Sequence, residues 1–296
     1  MTLSTVLSPV PKFLRRHKLV QLLIALVPDW RYEVMEFNNG ARALVDLADS
    51  NARNYFLEKS FDPVFFEIAR PFLSRGGVIL DIGANFGLCS FGLLHALNGT
   101  DLVMHLFEAN PHLCDCLKKS AALYPGARIT INHCCVSDRP GVSSLHIEKE
   151  NLGSSYIASG GDVEVPNLLL DEYLQEKMSP VAFVKMDIEG FEVAALRGAR
   201  SAIERGALPV IYLEVSEPNL HRQNLRVDDC FALLRDAGYA LYYCKEPEYF
   251  SGCFLEVHGA RLPVGEVVSW SFQPGYQTDL LAVHKTCAHV QLIKPA

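Results

Sequence analysis

The run Val78-Ile-Leu-Asp-Ile-Gly-Ala-Asn-Phe-Gly87 constrains this chain more than any other stretch of its 296 residues. It reads as a buried strand that breaks into a glycine turn, and a helix-like run from Leu88 to Leu97 follows. Strand, glycine turn and helix N-terminus form a nucleotide-sized cradle, because glycine lets the backbone approach a ligand closely. The next apolar run, Leu102 to Phe107, ends in Glu108. An acid about 20 residues past such a turn is placed to grip a ribose hydroxyl pair. A tight turn with no ligand is the plainer reading, but the turn, Asp81 and Glu108 agree on a ligand.

The glycine spacing narrows the ligand class. A dinucleotide site wants G-x-G-x-x-G, which packs a pyrophosphate onto the helix N-terminus. Here Gly83 and Gly87 are spaced G-x-x-x-G, and an acid, Asp81, stands just before them. A carboxylate there repels a pyrophosphate and suits an ammonium. S-adenosylmethionine offers an ammonium, a sulfonium and a ribose, and no phosphate.

Alternating strand and helix patterns predict a doubly wound α/β fold with a mainly parallel sheet. Strands are expected at Val78–Ile82, Leu102–Glu108, Ile129–Asn132, Val181–Asp187, Val210–Val215, Tyr239–Cys244 and Leu280–His284. Helices are expected at Leu88–Leu97, Pro111–Leu123, Phe191–Glu204 and Val227–Ala237. Val142–Ile147 reads as an extra strand, and the polar, glycine-rich stretch 148–166 as a loop of lid or binding type. Upstream, Asn38-Asn39-Gly40 marks a hairpin between Tyr32–Phe37 and Ala41–Leu47. Asp62 and Pro63 mark the start of a helix running to Leu73. Residues 1–60 therefore read as an N-terminal extension of helix plus hairpin, and 61–296 as the main domain, less certain beyond about 246.

The N-terminus places Arg15-Arg16-His-Lys18 before an apolar run, Leu19 to Val27. That order imitates a signal peptide, but the run is too short to span a bilayer and no small-residue cleavage site follows. A short helix packed on the domain is the expectation. A peripheral membrane contact through Phe13, Leu19, Leu22, Leu23 and Leu26 is the alternative. Nine scattered cysteines with no C-x-x-C pair read as reduced, cytosolic, buried side chains and argue against a zinc site. With a net charge of −7 and no basic stripe, nucleic acid is not the expected partner.

A second dense cluster is Phe183-Val-Lys-Met-Asp-Ile-Glu-Gly-Phe-Glu192. Lys185, Asp187 and Glu189 alternate, so in an extended chain they share one face. Glu214 closes the next strand, Val210-Ile-Tyr-Leu-Glu214. Open α/β sheets bind ligands at the carboxyl ends of their strands, where these acids would converge. The structural alternative is that Glu189 caps a helix and Lys185–Asp187 is an ion pair holding a loop.

Together these segments resemble the FkbM family of class I S-adenosylmethionine-dependent methyltransferases. The resemblance rests on Leu80-Asp-Ile-Gly-Ala-Asn-Phe-Gly87, Phe107-Glu-Ala-Asn-Pro111, Val136-Ser-Asp138 with Gly141, Leu170-Asp-Glu-Tyr-Leu174, Lys185 to Glu192 with Leu196-Arg-Gly198, and Glu214. It covers roughly residues 60–245. It implies a seven-stranded Rossmann-like sheet whose last strand is antiparallel. It implies that the donor sits over Gly83, Ala84, Asn85 and Gly87, with its ribose on Glu108 and its adenine beside Cys135 and Val136. It also implies methylation of a hydroxyl on a sugar, glycan or secondary metabolite.

Methyl transfer to an alcohol is an in-line displacement that gains from positioning and from a base near the acceptor proton. Asp187 is the first candidate base, with Glu189 and Glu214 behind it and Lys185 beside them. A variant uses Mg²⁺ on the three acids, which are hard oxygen ligands. His133 and His221 are weaker candidates for the base. The rival readings are a nucleotide-dependent oxidoreductase and a methyltransferase-like binding module without activity. Trp270, Phe272 and Tyr276 are aromatic groups that suit a sugar, a core or a dimer contact equally.

Overall fold

The structure, a computed structural model, describes residues 3–7, 17–98, 100–177, 180–250, 252–268 and 275–294. Phe13, Trp270 and Phe272 fall outside them. The chain opens with α1 (Leu3–Leu7) and α2 (His17–Leu26). Val20 is buried, and Leu19, Leu23 and Ile24 pack against the core, as expected of a helix seated on the domain. Leu22 and Leu26 stay exposed. No described helix is long and apolar enough to cross a membrane.

The hairpin forms as predicted, with β1 (Tyr32–Phe37) and β2 (Ala41–Asp46) joined by Asn38, Asn39 and Gly40, all at positive φ. Asp49 caps α3 (Ser50–Glu58), which sequence patterning did not single out. Asp62 caps α4 (Pro63–Leu73) by accepting from the Phe65 N–H at 3.1 Å.

The doubly wound part follows as β3 (Gly77–Ile82), α5 (Leu88–Ala96), β4 (Leu102–Glu108), α6 (Pro111–Ala121) and β5 (Arg128–His133). A small antiparallel-dominated insert comes next, with β6 (Cys135–Val136), β7 (Val142–His146), β8 (Tyr156–Ile157) and β9 (Val163–Leu168). The 148–166 stretch, read from sequence as a loop, therefore contains β8 and part of β9. Its glycines hide the pairing because only short ladders of two and four residue pairs hold it. Then come α7 (Leu170–Lys177), β10 (Val181–Met186), α8 (Glu192–Gly198), α9 (Arg200–Glu204) and β11 (Val210–Ser216). The single helix expected over Phe191–Glu204 is two, separated at Ala199. There Gly198 lies so close to the Ser137 carbonyl that a Cβ would sit 1.9 Å from its oxygen. The chain ends with α10 (Glu217–Arg222), α11 (Val227–Ala237), β12 (Tyr239–Tyr243), β13 (Cys253–Val257), β14 (Ala260–Glu266), β15 (Gln277–His284) and β16 (Val290–Ile293).

One sheet organises these elements in the order β5-β4-β3-β10-β11-β15-β12-β14-β13-β16. β3, β4, β5, β10 and β11 are parallel, and β15 enters antiparallel between β11 and β12. The seven strands implied by the resemblance are thus present, extended by β14, β13 and β16 beyond β12. The strand expected at Leu280–His284 forms most of the inserted β15, whereas β13, β14 and β16 of the last fifty residues were not expected from the sequence. The central strands are almost continuously buried, the signature of a parallel sheet covered on both faces. The hairpin packs on α5 and α6 on one face. On the other face, α8, α9 and α11 pack together over a second apolar cluster.

Candidate active site

Two cavities meet at the carboxyl ends of β3, β4, β10 and β11. The first is lined by Gly83, Asn85, Glu108, Cys134, Cys135, Val136, Tyr156, Asp187, Glu189 and neighbours. The second is a larger cleft that includes Tyr55, Asp62, Lys185, Tyr212, Glu214, Asn219, Arg222, Lys245, Gln277 and Asp279. Asn85, Gly153, Asp187 and Glu189 line both, so a group in one can reach the other.

The glycine turn builds the wall between them. Gly83, Asn85 and Gly87 have φ of 80°, 52° and 76°. A Cβ at Gly83 would sit 1.8 Å from the Asp187 carbonyl oxygen, so only glycine lets the β3 turn and the end of β10 lie this close. The Gly83 and Ala84 N–H groups both donate to the Phe107 carbonyl, tying the turn to β4. Glu108 at the end of β4 is buried but faces the first cavity. Its two carboxylate oxygens accept from the N–H groups of Asn85 and Asn110, each at 2.8 Å. Burial pushes its pKa up, and those two N–H groups oppose the shift. Cys135 and Val136, expected beside an adenine, line the same cavity. Burial pushes the Cys135 thiol up to about 12, so it is an apolar wall rather than a nucleophile.

Asp81 is placed differently from the expectation. Its carboxyl is 1% exposed and lines neither cavity. It accepts from Ser90 Oγ at 2.6 Å and lies 3.7 Å from Lys185 Nζ. The side chain lies behind the turn beside its register partner Lys185, where it braces the turn. Lys185 is the other half of that brace. Its Nζ donates to the Gly83 carbonyl at 2.7 Å and sits 3.1 Å from Asp187 Oδ2. Burial works against the Lys185 charge, and Asp187 and Asp81 more than offset it, holding its pKa above the ordinary lysine range.

The structure brings Asp187, Glu189 and Glu214 together, with one carboxylate oxygen of each within 4.8 Å of the others. Glu189 does not continue the strand. It adopts φ 54° ahead of Gly190, and Asn219 Nδ2 donates to its Oε2 at 2.5 Å. Glu214 Oε1 accepts from Gln277 Nε2 at 2.5 Å, while its buried Oε2 has no partner among the described residues. Burial first, and then Asp187 and Glu192, push the Glu189 pKa up to about 7. Burial and the charges of Asp187 and Glu189 push Glu214 further still. His133 and His221 are exposed and line neither cavity.

These shifts carry a sign for stability. The unfolded chain ionises both glutamates near 4.5, whereas the folded protein holds their protons to higher pH. Stability contributed by these groups is therefore full below pH 4.5 and is lost as pH rises through 7 and beyond. Glu214→Gln should raise the Tm of the apo protein by a few degrees at pH 8 and leave it unchanged at pH 4. Scanning calorimetry at both values checks this, and an unchanged or lowered Tm at pH 8 would contradict it.

Sequence reading missed Asn219, Gln277, Tyr212, Lys245, Asp279 and Asp62. For Tyr212 a local signal existed, since it stands two residues before Glu214 on one strand face. For the others there was none, because sheet pairing brings in Gln277 and Asp279, α10 brings in Asn219, and the α4 cap and the chain after β12 bring in Asp62 and Lys245.

The first cavity also answers what it can hold. Among its lining residues are three carboxylates and no lysine or arginine. Asn85 Oδ1 is buried there with no hydrogen-bond partner among the described residues. An unsatisfied acceptor beside carboxylates fits a cationic, phosphate-free ligand with hydroxyl or ammonium donors, as S-adenosylmethionine is, and disfavours a dinucleotide.

No curated protein matches the chain. Among solved structures it is similar to the methyltransferase FkbM from Methylobacillus flagellatus, at 17% identity and a TM-score of 0.43. The match covers 78% of this chain and 52% of that one, so the chain spans about half the length of that protein. It is also similar to magnesium protoporphyrin IX methyltransferase from Synechocystis with bound SAH, at 12% identity and a TM-score of 0.40, over 76% of this chain and 81% of that one. The family model described as the methyltransferase FkbM domain matches residues 81–241, more than half of the sequence and the whole span from the glycine turn to β12. On that match the chain belongs to the FkbM methyltransferase domain family.

Proposed function

We propose that this protein is an S-adenosylmethionine-dependent O-methyltransferase acting on a hydroxyl of a sugar, glycan or related small molecule. The observation that carries the reading is the junction of the two cavities at Asn85, Asp187 and Glu189. One cavity suits the donor and the other is polar and large enough for a hydroxylated acceptor. When bound, the donor supplies the methyl group. Gly83, Ala84, Asn85 and Gly87 would cradle it, Glu108 would hold the ribose hydroxyls, and Cys135 and Val136 would flank the base. Residues 61–296 would form this catalytic domain, with the hairpin of residues 1–60 bracing α5 and α6.

Asp187 is the proposed base. It lies at the junction, and Lys185 at 3.1 Å fixes its orientation. An acceptor hydroxyl loses its proton as the new O–C bond forms, and a carboxylate within hydrogen-bond reach takes it. Glu189 then serves as the neighbour that accepts or shares that proton, while Glu214, whose pKa is raised further, stays protonated beside it. Gly153 and Tyr156 of the insert line the donor side.

A second reading places Mg²⁺ on Asp187, Glu189 and Glu214, because three hard oxygen ligands converge there. Transfer of a labelled methyl group into an acceptor-containing cell extract, run with and without EDTA, tests both. Label incorporation that survives EDTA supports the proton-transfer reading. Loss with EDTA and rescue by Mg²⁺ supports the metal reading, and no incorporation under either condition argues against the function.

A further inference from the structure

We propose that Tyr212, Lys245, Asp279 and Asp62 form an acceptor-anchoring subsite that takes a second hydroxyl of an uncharged, polyhydroxylated acceptor such as a pyranose ring. This rests on the methyltransferase reading and adds the residues that choose the acceptor. All four line the large cleft, away from the turn that holds the donor.

Lys245 Nζ lies 2.7 Å from Asp62 Oδ2 and 2.6 Å from Asp279 Oδ2. The three side chains are 24%, 29% and 21% exposed, so the clasp is open to the cleft and not sealed in the core. It joins the cap of α4, the end of β12 and the middle of β15. A partly buried ion cluster of this kind adds little net stability, because desolvation offsets the attraction. Its positive charge is already matched by two carboxylates, which leaves no place for an anionic substituent. What remains are carboxylate lone pairs that accept from hydroxyls and an ammonium with a third N–H to donate.

Tyr212 supplies the independent observation. It is 3% exposed, and its hydroxyl, close to the Asp279 carboxyl, makes no hydrogen bond of normal geometry among the described residues. Its contact with Asp279 leaves the phenol oxygen with an open acceptor site in the cleft, which a hydroxyl donor entering there can meet. Lys245 Nζ lies 5.7 Å from the Tyr212 ring centroid and 2.6 Å from Asp279 Oδ2, so ammonium and phenol flank the same carboxylate.

Distance ties this spot to the chemistry. Tyr212 and Glu214 are two residues apart on the same face of β11, roughly 6.6 Å along the strand. Asp279 is the register partner of Glu214 across β11 and β15. That spacing is comparable with the span of one six-membered sugar ring. Glu214 belongs to the carboxylate cluster with Asp187, so an acceptor with one hydroxyl at that cluster presents another toward Tyr212 and Asp279.

The test uses the full chain and labelled S-adenosylmethionine. The acceptors are methyl glycosides of glucose, galactose, mannose and rhamnose, their monodeoxy analogues, and cyclohexanol, with donor binding followed separately by calorimetry. A glycoside should accept label, and removing one remote hydroxyl should cut kcat/KM by about tenfold or more. Tyr212→Phe should cost a similar factor on the full glycoside and almost nothing further on that deoxy analogue, with donor affinity unchanged. Asp279→Asn should behave likewise, which guards against a folding defect in one variant. The proposal is overturned if cyclohexanol is as good an acceptor as any glycoside, if both variants keep wild-type kcat/KM, or if donor binds normally and no glycoside is methylated. Failure to bind donor at all sinks the underlying methyltransferase reading as well.

Discussion

Glu108→Ala is expected to weaken S-adenosylmethionine binding at least about a hundredfold, because a carboxylate accepting two ribose hydroxyls makes charge-assisted hydrogen bonds in a dry pocket. The side chain has a second task. Its oxygens accept from the Asn85 and Asn110 N–H groups, so truncation also loosens the glycine turn. Glu108→Gln separates the two effects. The amide keeps one acceptor oxygen for the backbone and loses the charge, so binding should weaken while the Tm stays near wild type. Calorimetric titration of wild type and both variants reads this directly. Wild-type affinity in Glu108→Ala would remove the ribose assignment, and with it the placement of the donor in the first cavity. Glu214→Gln, which lies in the other cavity, serves as the control with unchanged donor affinity.

Asp187→Asn should lower kcat by a factor of about 10²–10⁴ with little change in donor affinity, the range expected for loss of a positioned general base. The amide preserves shape and still faces Lys185, so the turn should hold. Glu189→Gln should cost less, and its effect should depend on pH. Glu189 titrates near 7 in the folded protein, so activity that needs its carboxylate rises as pH passes through 7. Replacing it by the neutral amide should flatten that rise. Single-turnover transfer of labelled methyl between pH 6 and 9 gives both quantities. If both variants kept full turnover at every pH, proton transfer through this cluster would be wrong and positioning alone would have to account for the rate.

Much of the donor side was legible in the chain itself. The turn from Asp81 to Gly87 is a local object, since glycines at positive φ and an adjoining apolar run determine its conformation over a few residues. Glu108 was legible because a strand's end is marked by where its apolar run stops. The β4 strand falls on the predicted residues, and α11 does too. Asp81 shows the limit of the same logic. Its position beside the turn was correct, but the direction of its side chain depends on Ser90 and Lys185, which approach from α5 and β10.

The make-up of the larger cleft was decided by tertiary structure. Glu214 sits beside Asp187 because β11 neighbours β10, and Gln277 and Asp279 join them because β15 inserts between β11 and β12. Hydrophobic periodicity states that a strand is buried, and it does not state which strand lies next to it. Lys245 and Asp62 are 183 residues apart and meet only after the sheet closes. The amino-acid sequence by itself determined the glycine turn after β3 and the strand ends that carry acids, because those follow from short-range backbone geometry. Only the packed sheet decided which of those acids share a cleft and what else faces them, because that depends on long-range strand order.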